Sequence, residues 1–239
     1  MSEPGFGPDA DFRRAAAIVA IVAFVLAVGC SITGLMAVRF DTGVMSNPDL
    51  LLGAGHAAAG LWRASLLLDL FGYYLMLVPL ILVLRAESRP RAGSWSDLFA
   101  FCLLAYSLVG AMGAAMLAMS TPPMMDAYTA AGVADRQLLQ TAFSAQFNDV
   151  YRGLWNTLEA FLGGVGWLGF GWLMLARNRW IAILTLALGL AELADSAGMI
   201  SSQDWLLSAG LNVYLALATI WPLVMGIRLL GRRPLVADG

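Results

Sequence analysis

The chain has 239 residues, 60% of them hydrophobic and only 13% charged, with a mean hydropathy of +0.75 and a net charge of −2. A soluble domain carries about 25% charged residues, so the composition excludes an ordinary water-facing surface and makes the lipid bilayer the expected partner. The slight negative charge excludes nucleic acid, which needs basic patches.

All fourteen basic residues are arginine, as in the codon bias of a GC-rich bacterial genome. Cys30 and Cys102 both fall in apolar runs, form no CxxC and read as inert buried thiols. His56 is the only histidine. Two-histidine haem and zinc catalysis need more than that, so no metal and no cofactor is expected.

Residues 1–12 are acidic and rich in Gly and Pro and read as a disordered tail. A membrane domain over 13–232 follows, and 233–239 is a C-terminal tail. Its first span is 15–38. The run around Ala27 and Cys30 loosely resembles a lipoprotein cleavage site, but it continues through Val38, longer than a signal core. Residues 39–60 are expected as a loop holding Asn47-Pro48 and His56, the latter a plain surface histidine. The second span is 61–85, with a kink expected at Pro79.

The third span is 98–119, ended by Pro122-Pro123. Gly110, Ala114 and Ala118 recur every four residues, which suits close helix packing. Residues 124–150 form an external amphipathic segment, or a helical extension of the next span into water. The fourth span is 151–176. Its run from Gly163 to Gly171 alternates glycine with aromatics and points to tight packing rather than a phosphate loop, because no strand precedes it. The turn Arg177-Asn178-Arg179 leads to the fifth span, 180–200, and the sixth is 206–230, with Pro222 inside it.

The expected fold is therefore all-α: a polytopic membrane bundle of six transmembrane helices. With six spans both termini share a side. Ten arginines lie on that side and four (Arg39, Arg63, Arg136, Arg152) on the other. The bias places both termini in the cytoplasm and the chain in a bacterial inner membrane.

A polar layer crosses the outer half of this bundle. Asp69 and Glu159 lie roughly 10 Å below the outer face at about 1.5 Å per residue, with Glu192, Asp195 and Asn212 at similar depth. Arg152, Asn156 and Glu159 share a face at i, i+4 and i+7, and Trp62, Asp69 and Tyr73 another at i, i+7 and i+11. Arg63 points elsewhere and can snorkel. Four carboxylates against Arg63 and Arg152 call for a bound cation or a proton on a carboxyl. All ten residues are expected around one cavity open to the outside. The ordinary alternative is that they pair with one another and brace the bundle.

Trp62-Arg63 with Asp69, the basic turn after the fourth span, and Leu193-Ala194-Asp195-Ser196 near Gly189 resemble a bacterial family of six-helix membrane proteins. That family is known only as a domain of unknown function, four-three-eight-six. The resemblance spans about 14–230 and marks Arg63, Asp69 and Asp195 as the matching positions. It departs at Ala176–Trp180, where the family's proline is missing. It implies fold and inner membrane, and no activity.

Three functions follow in order. The first is binding or transport of a small polar ligand or cation, with a homodimer expected because six spans are few. The second is an intramembrane enzyme using carboxyl acid–base chemistry on a lipid-like or isoprenoid substrate. The third is a non-catalytic subunit or assembly factor docking through 120–150. An enzyme is the less favoured reading, and no catalytic residue is assigned, because the motifs of nucleophilic and metal catalysis are missing.

Overall fold

In hydrocarbon every backbone polar group must be satisfied within the protein, which leaves long apolar runs the helix as their structure. The computed structural model describes residues 9–176 and 178–231, and these are helical almost throughout, with no strand among them. Residues 1–8 of the expected tail, Arg177, and the C-terminal 232–239 with Arg232 and Arg233 lie outside the described residues.

Helix α1 is Ala10–Ala37. The Asp9 side chain accepts from the Phe12 N–H at 2.6 Å and caps it, so residues 10–12 are its first turn and not part of a tail. Arg39 and Phe40 then take φ of 53° and 64° and turn the chain. The expected loop 39–60 is mostly helical. It holds α2 (Thr42–Met45, capped by Asp41), α3 (Pro48–Gly53, capped by Asn47) and the start of α4 (His56–Asp69). His56 opens α4 and bonds Asp126 across 2.7 Å, so it is tied to a neighbouring helix.

After Asp69 the helix widens into a π turn, Leu70–Tyr74, tightens at Leu75–Leu77, and resumes as α5 (Val78–Ala92). Pro79 falls in the first turn of α5, where its missing N–H costs little, so the irregular turn precedes the proline. Helix α6 (Ser94–Ala130) runs through Pro122 and Pro123 instead of ending there. Its last turns are held by buried Thr121 and Met125, and packing outweighs the proline penalty.

Helix α7 (Val133–Asn148) continues through a π segment, Asp149–Glu159, into α8 (Ala160–Met174). The segment 124–150 is thus the end of α6 followed by an extension of the next helix. Phe143 and Phe147 are buried against α3 and α6. Helices α9 (Arg179–Ser201) and α10 (Asp204–Leu230) complete the chain.

Among the described residues five helices are long and apolar enough to cross a membrane: Ala10–Ala37, His56–Ala92, Ser94–Ala130, Arg179–Ser201 and Asp204–Leu230. This is the architecture of a multi-pass membrane protein. The expected fourth span is divided. Its regular part, α8, has 15 residues and measures about 22 Å, short of the roughly 30 Å core.

The helices close a ring: α1 packs on α4, α4 and α5 on α6, α6 on α8, α8 on α9, α9 on α10, and α10 back on α1. Small residues set the spacing. Ala16, Ala17, Ala20, Ala23 and Ala27 are a buried stripe on α1, and a Cβ at Gly226 of α10 would lie 2.8 Å from the Ala17 carbonyl. Gly110, Ala114 and Ala118 are buried as expected. The glycines of α8 receive Leu103 and Phe99 from α6 and Leu193 and Leu186 from α9. A second core of Leu51, Leu52, Trp62, Met125, Phe143 and Phe147 closes the arginine-poor end.

Candidate functional site

The interior of the ring holds carboxyl groups among tyrosines, one of which is hydrogen-bonded to Glu159. Glu159 ends the π segment before α8, and its side chain is 4% exposed. Glu192 and Asp195 of α9 are 1% and 3% exposed. Asp69, at the end of α4, is half-buried. Glu159 is in electrostatic range of Asp69 and Asp195, and Glu192 of Glu159 and Asp195.

The Tyr74 hydroxyl donates to Glu159 Oε2 at 3.2 Å. Tyr106 and Tyr214 share a hydrogen bond of 2.6 Å, and the Tyr106 hydroxyl also reaches the Tyr73 carbonyl at 3.4 Å. Tyr214 in turn faces the Glu192 carboxyl. Tyr73 bonds Thr219 of α10 across 2.6 Å. Ser196 donates to the Thr157 carbonyl at 3.1 Å and ties α9 to the π segment. Glu192 Oε1 and Asp195 Oδ1 have no hydrogen-bond partner among the described residues. The ion pairs of the described residues, Arg13–Glu87, His56–Asp126, Arg85–Asp97 and Arg89–Asp97, include none of these four carboxylates.

Local winding explains the geometry. A π segment bonds i to i+5, which adds nearly a residue per turn. The Asn156 amide accordingly donates to the Tyr151 carbonyl and the Thr157 hydroxyl to the Arg152 carbonyl, each five residues back, at 2.6 Å. This breaks the α-helical stripe of Arg152, Asn156 and Glu159. Asn156 and Glu159 turn inward, and Arg152 turns out and is exposed. The π turn Leu70–Tyr74 does the same for its helix and sends Tyr74 to Glu159 while Tyr73 reaches α10. Gly163 then leaves room for Glu192. A Cβ there would lie 2.8 Å from Glu192 Oε2 and 2.7 Å from the Tyr106 ring.

On the arginine-rich side of these groups lies an aromatic floor. Tyr106 meets Trp167 edge-on at 6.0 Å, and Trp167 lies 4.6 Å from Trp221. Trp221 Nε1 donates to Thr185 Oγ1 at 2.8 Å.

Of the ten expected residues, Asp69, Tyr73, Asn156, Glu159, Glu192 and Asp195 face this interior. Four do not. Trp62 is buried, but in the core of the arginine-poor end. Arg63 is exposed and lies 3.8 Å from Met119 Sδ. Arg152 is exposed for the reason given. Asn212 is exposed and donates to the Ser208 carbonyl of its own helix, one turn back, which satisfies it without a partner across the ring.

Two clefts lie away from these groups. One cleft of about 530 Å³ is lined by Ala37, Arg39, Asp41, Asp49, Ala57 and Ala58 among others, and another of about 360 Å³ by Arg85, Ala86, Arg89 and Pro90. Neither contains any of the four carboxylates. Among the described residues no three His, Cys, Asp or Glu side chains converge as metal ligands. Sequence reasoning missed Tyr74, Tyr106, Tyr214, Trp167, Thr185 and Trp221 as members of the site. The clue was that a tyrosine or tryptophan buried in an apolar span needs a polar partner.

No family model matches the chain, and no curated protein and no solved structure matches it either.

Proposed function

We propose that the chain is a bacterial inner-membrane protein that binds and transfers a proton through its buried carboxyl–tyrosine network. The observation that carries this reading is the hydrogen-bonded set Tyr74–Glu159 and Tyr106–Tyr214 beside Glu192 and Asp195, all buried and in no ion pair among the described residues. A buried carboxylate without a cation costs several kcal/mol, about 3–5 when its partner is removed. Each such group therefore keeps a proton or holds a cation. A proton is the ligand that fits, since a tyrosine hydroxyl is bonded to one of these carboxyls and a second, mutually bonded tyrosine pair lies beside the others. Tyrosine hydroxyls both donate and accept, so they pass a proton between carboxyls that do not touch. Intramembrane carboxyls of this kind serve proton relays.

The proposal includes six crossings. With the π segment added, the helix ending in α8 is long enough to span, and α8 holds a place in the ring between α6 and α9. It also includes both termini in the cytoplasm, from the arginine bias. The resemblance to the six-helix family agrees with that arrangement.

The test is proton flux in proteoliposomes with an entrapped pH dye, for Glu159→Gln and Asp69→Asn, beside thermal unfolding in detergent. The amides keep shape and hydrogen bonding, so both variants fold, and both lose flux. Full flux in both variants refutes the proposal. Unfolding of both assigns these carboxyls to bracing.

A further inference from the structure

Helix α1 ends in a Schellman turn: the Phe40 N–H donates to the Leu35 carbonyl at 2.7 Å and the Arg39 N–H to the Met36 carbonyl at 3.2 Å. The left-handed residue of such a turn is usually glycine, because a Cβ raises the energy of that backbone. Here it is Arg39, at φ 53°, and Phe40 follows at φ 64°. Strained positions of this kind cluster at functional sites. Arg39 lines the cleft of about 530 Å³ at the arginine-poor end, and so do Asp41 and Asp49. We propose that this cleft binds the headgroup of a phospholipid carrying both a phosphate and a primary amine, as phosphatidylethanolamine does. The Arg39 guanidinium takes the phosphate, and Asp41 and Asp49 take the ammonium. The site stands apart from the carboxyl–tyrosine network, and its test is independent of proton flux.

Each charged group is held in place by its own local structure. The turn sets the Arg39 backbone. Asp41 Oδ1 accepts from the Gly43 N–H at 3.0 Å as the cap of α2, and Asp49 Oδ1 accepts from the Ser144 hydroxyl of α7 at 3.0 Å. Each carboxylate has a second oxygen for a further donor. All three residues are exposed, and Arg39 forms no ion pair among the described residues although both carboxylates share its cleft. The room between them comes from small residues: Gly53, Ala54, Ala57 and Ala58 line the cleft with Ala37 of α1. Charge complementarity defines the ligand. One cation and two anions in one cleft match a zwitterion, and a guanidinium grips phosphate through paired N–H donors. Position makes the ligand a lipid. Arg39 stands just beyond the end of the membrane-long helix Ala10–Ala37, at the level of headgroups. Met36 and Leu50 line the same cleft and are 47% and 54% exposed, which gives the acyl chains an apolar edge.

The test is native mass spectrometry of the full chain, delipidated in detergent and titrated with phosphatidylethanolamine, phosphatidylcholine or phosphatidylglycerol of the same acyl chains. Phosphatidylcholine has the same charges but no N–H on its amine, and phosphatidylglycerol has the phosphate but no amine. One equivalent of phosphatidylethanolamine should bind at least about tenfold more tightly than either, the factor for one charge-assisted hydrogen bond. Asp49→Asn keeps an acceptor for Ser144 and removes the charge, so the preference over phosphatidylglycerol is lost. Arg39→Gly suits the left-handed backbone, so the bare protein unfolds at no lower temperature while affinity for all three lipids falls about tenfold. Gly53→Leu adds a side chain where a Cβ meets nothing within 4 Å, so it fills the cleft without disturbing the fold and blocks binding. Equal affinity for the three lipids, wild-type affinity in Arg39→Gly or Gly53→Leu, or wild-type preference in Asp49→Asn overturns the site. Free phosphoethanolamine binding as tightly as the lipid overturns the lipid assignment in favour of a water-soluble zwitterion.

Discussion

Gly163 is where one missing methyl group decides the position of a carboxyl. Adding it by Gly163→Ala pushes on Glu192 and on the Tyr106 ring. Overpacking of this kind costs about 1–3 kcal/mol, and flux should fall because Glu192 is moved from Tyr214. Gly153→Ala is the control: a Cβ there meets nothing within 4 Å, so stability should stay within about 0.5 kcal/mol. Thermal unfolding and flux on the two variants check this, and equal behaviour would remove Gly163 from the site. Arg152 makes the opposite case. A guanidinium paired with buried Glu159 would cost about 3–5 kcal/mol on removal. The structure leaves Arg152 exposed, so Arg152→Ala should be neutral within about 0.5 kcal/mol. A fall of several kcal/mol in the denaturation midpoint analysis would restore the pair.

The two π segments are the elements on which the site depends. Regular α-helices would keep Arg152 and Glu159 on one face. The wider turn separates them and aims Glu159 at Tyr74. Deleting Gly153 shortens the segment by one residue and rotates the chain on one side of it by about 100° relative to the other. Helix content by circular dichroism should persist while proton flux is lost, because Glu159 and Tyr74 no longer meet. Wild-type flux in the deletion variant would show that the π winding is incidental. Irregular turns of this kind often mark functional positions in helices. Here they adjoin Asp69 and end on Glu159.

At the scale of the whole molecule, the ring brings side chains far apart in sequence into one interior. Tyr74 and Glu159 are 85 residues apart, Tyr106 and Tyr214 are 108 apart. The ring also separates the two ends. Arg13, Arg85 and Arg89 form ion pairs with Glu87 and Asp97 at one end, and His56 pairs with Asp126 at the other. Reporter fusions after Arg89 should read cytoplasmic, and fusions after Ser202 external. The reverse pattern would invert the molecule, and an external C-terminus with Arg89 cytoplasmic would leave an odd number of crossings.

The sequence by itself determined the all-helical class, the apolar helices and the presence of acidic groups within them. Composition and run length suffice there, because hydrocarbon forces each backbone to satisfy its own hydrogen bonds. Local patterning also marked the small-residue faces of α6 and α8. The tertiary structure decided which polar residues meet. A face read at 3.6 residues per turn holds only while the winding is regular, and π turns after Asp69 and before Glu159 reset it. The removal of Arg63, Arg152 and Asn212 from the site, and the arrival of Tyr74, Tyr106 and Tyr214, follow from that winding and from contacts between distant helices. Neither is written in the local pattern, because the energy that holds a π turn comes from the packing around it.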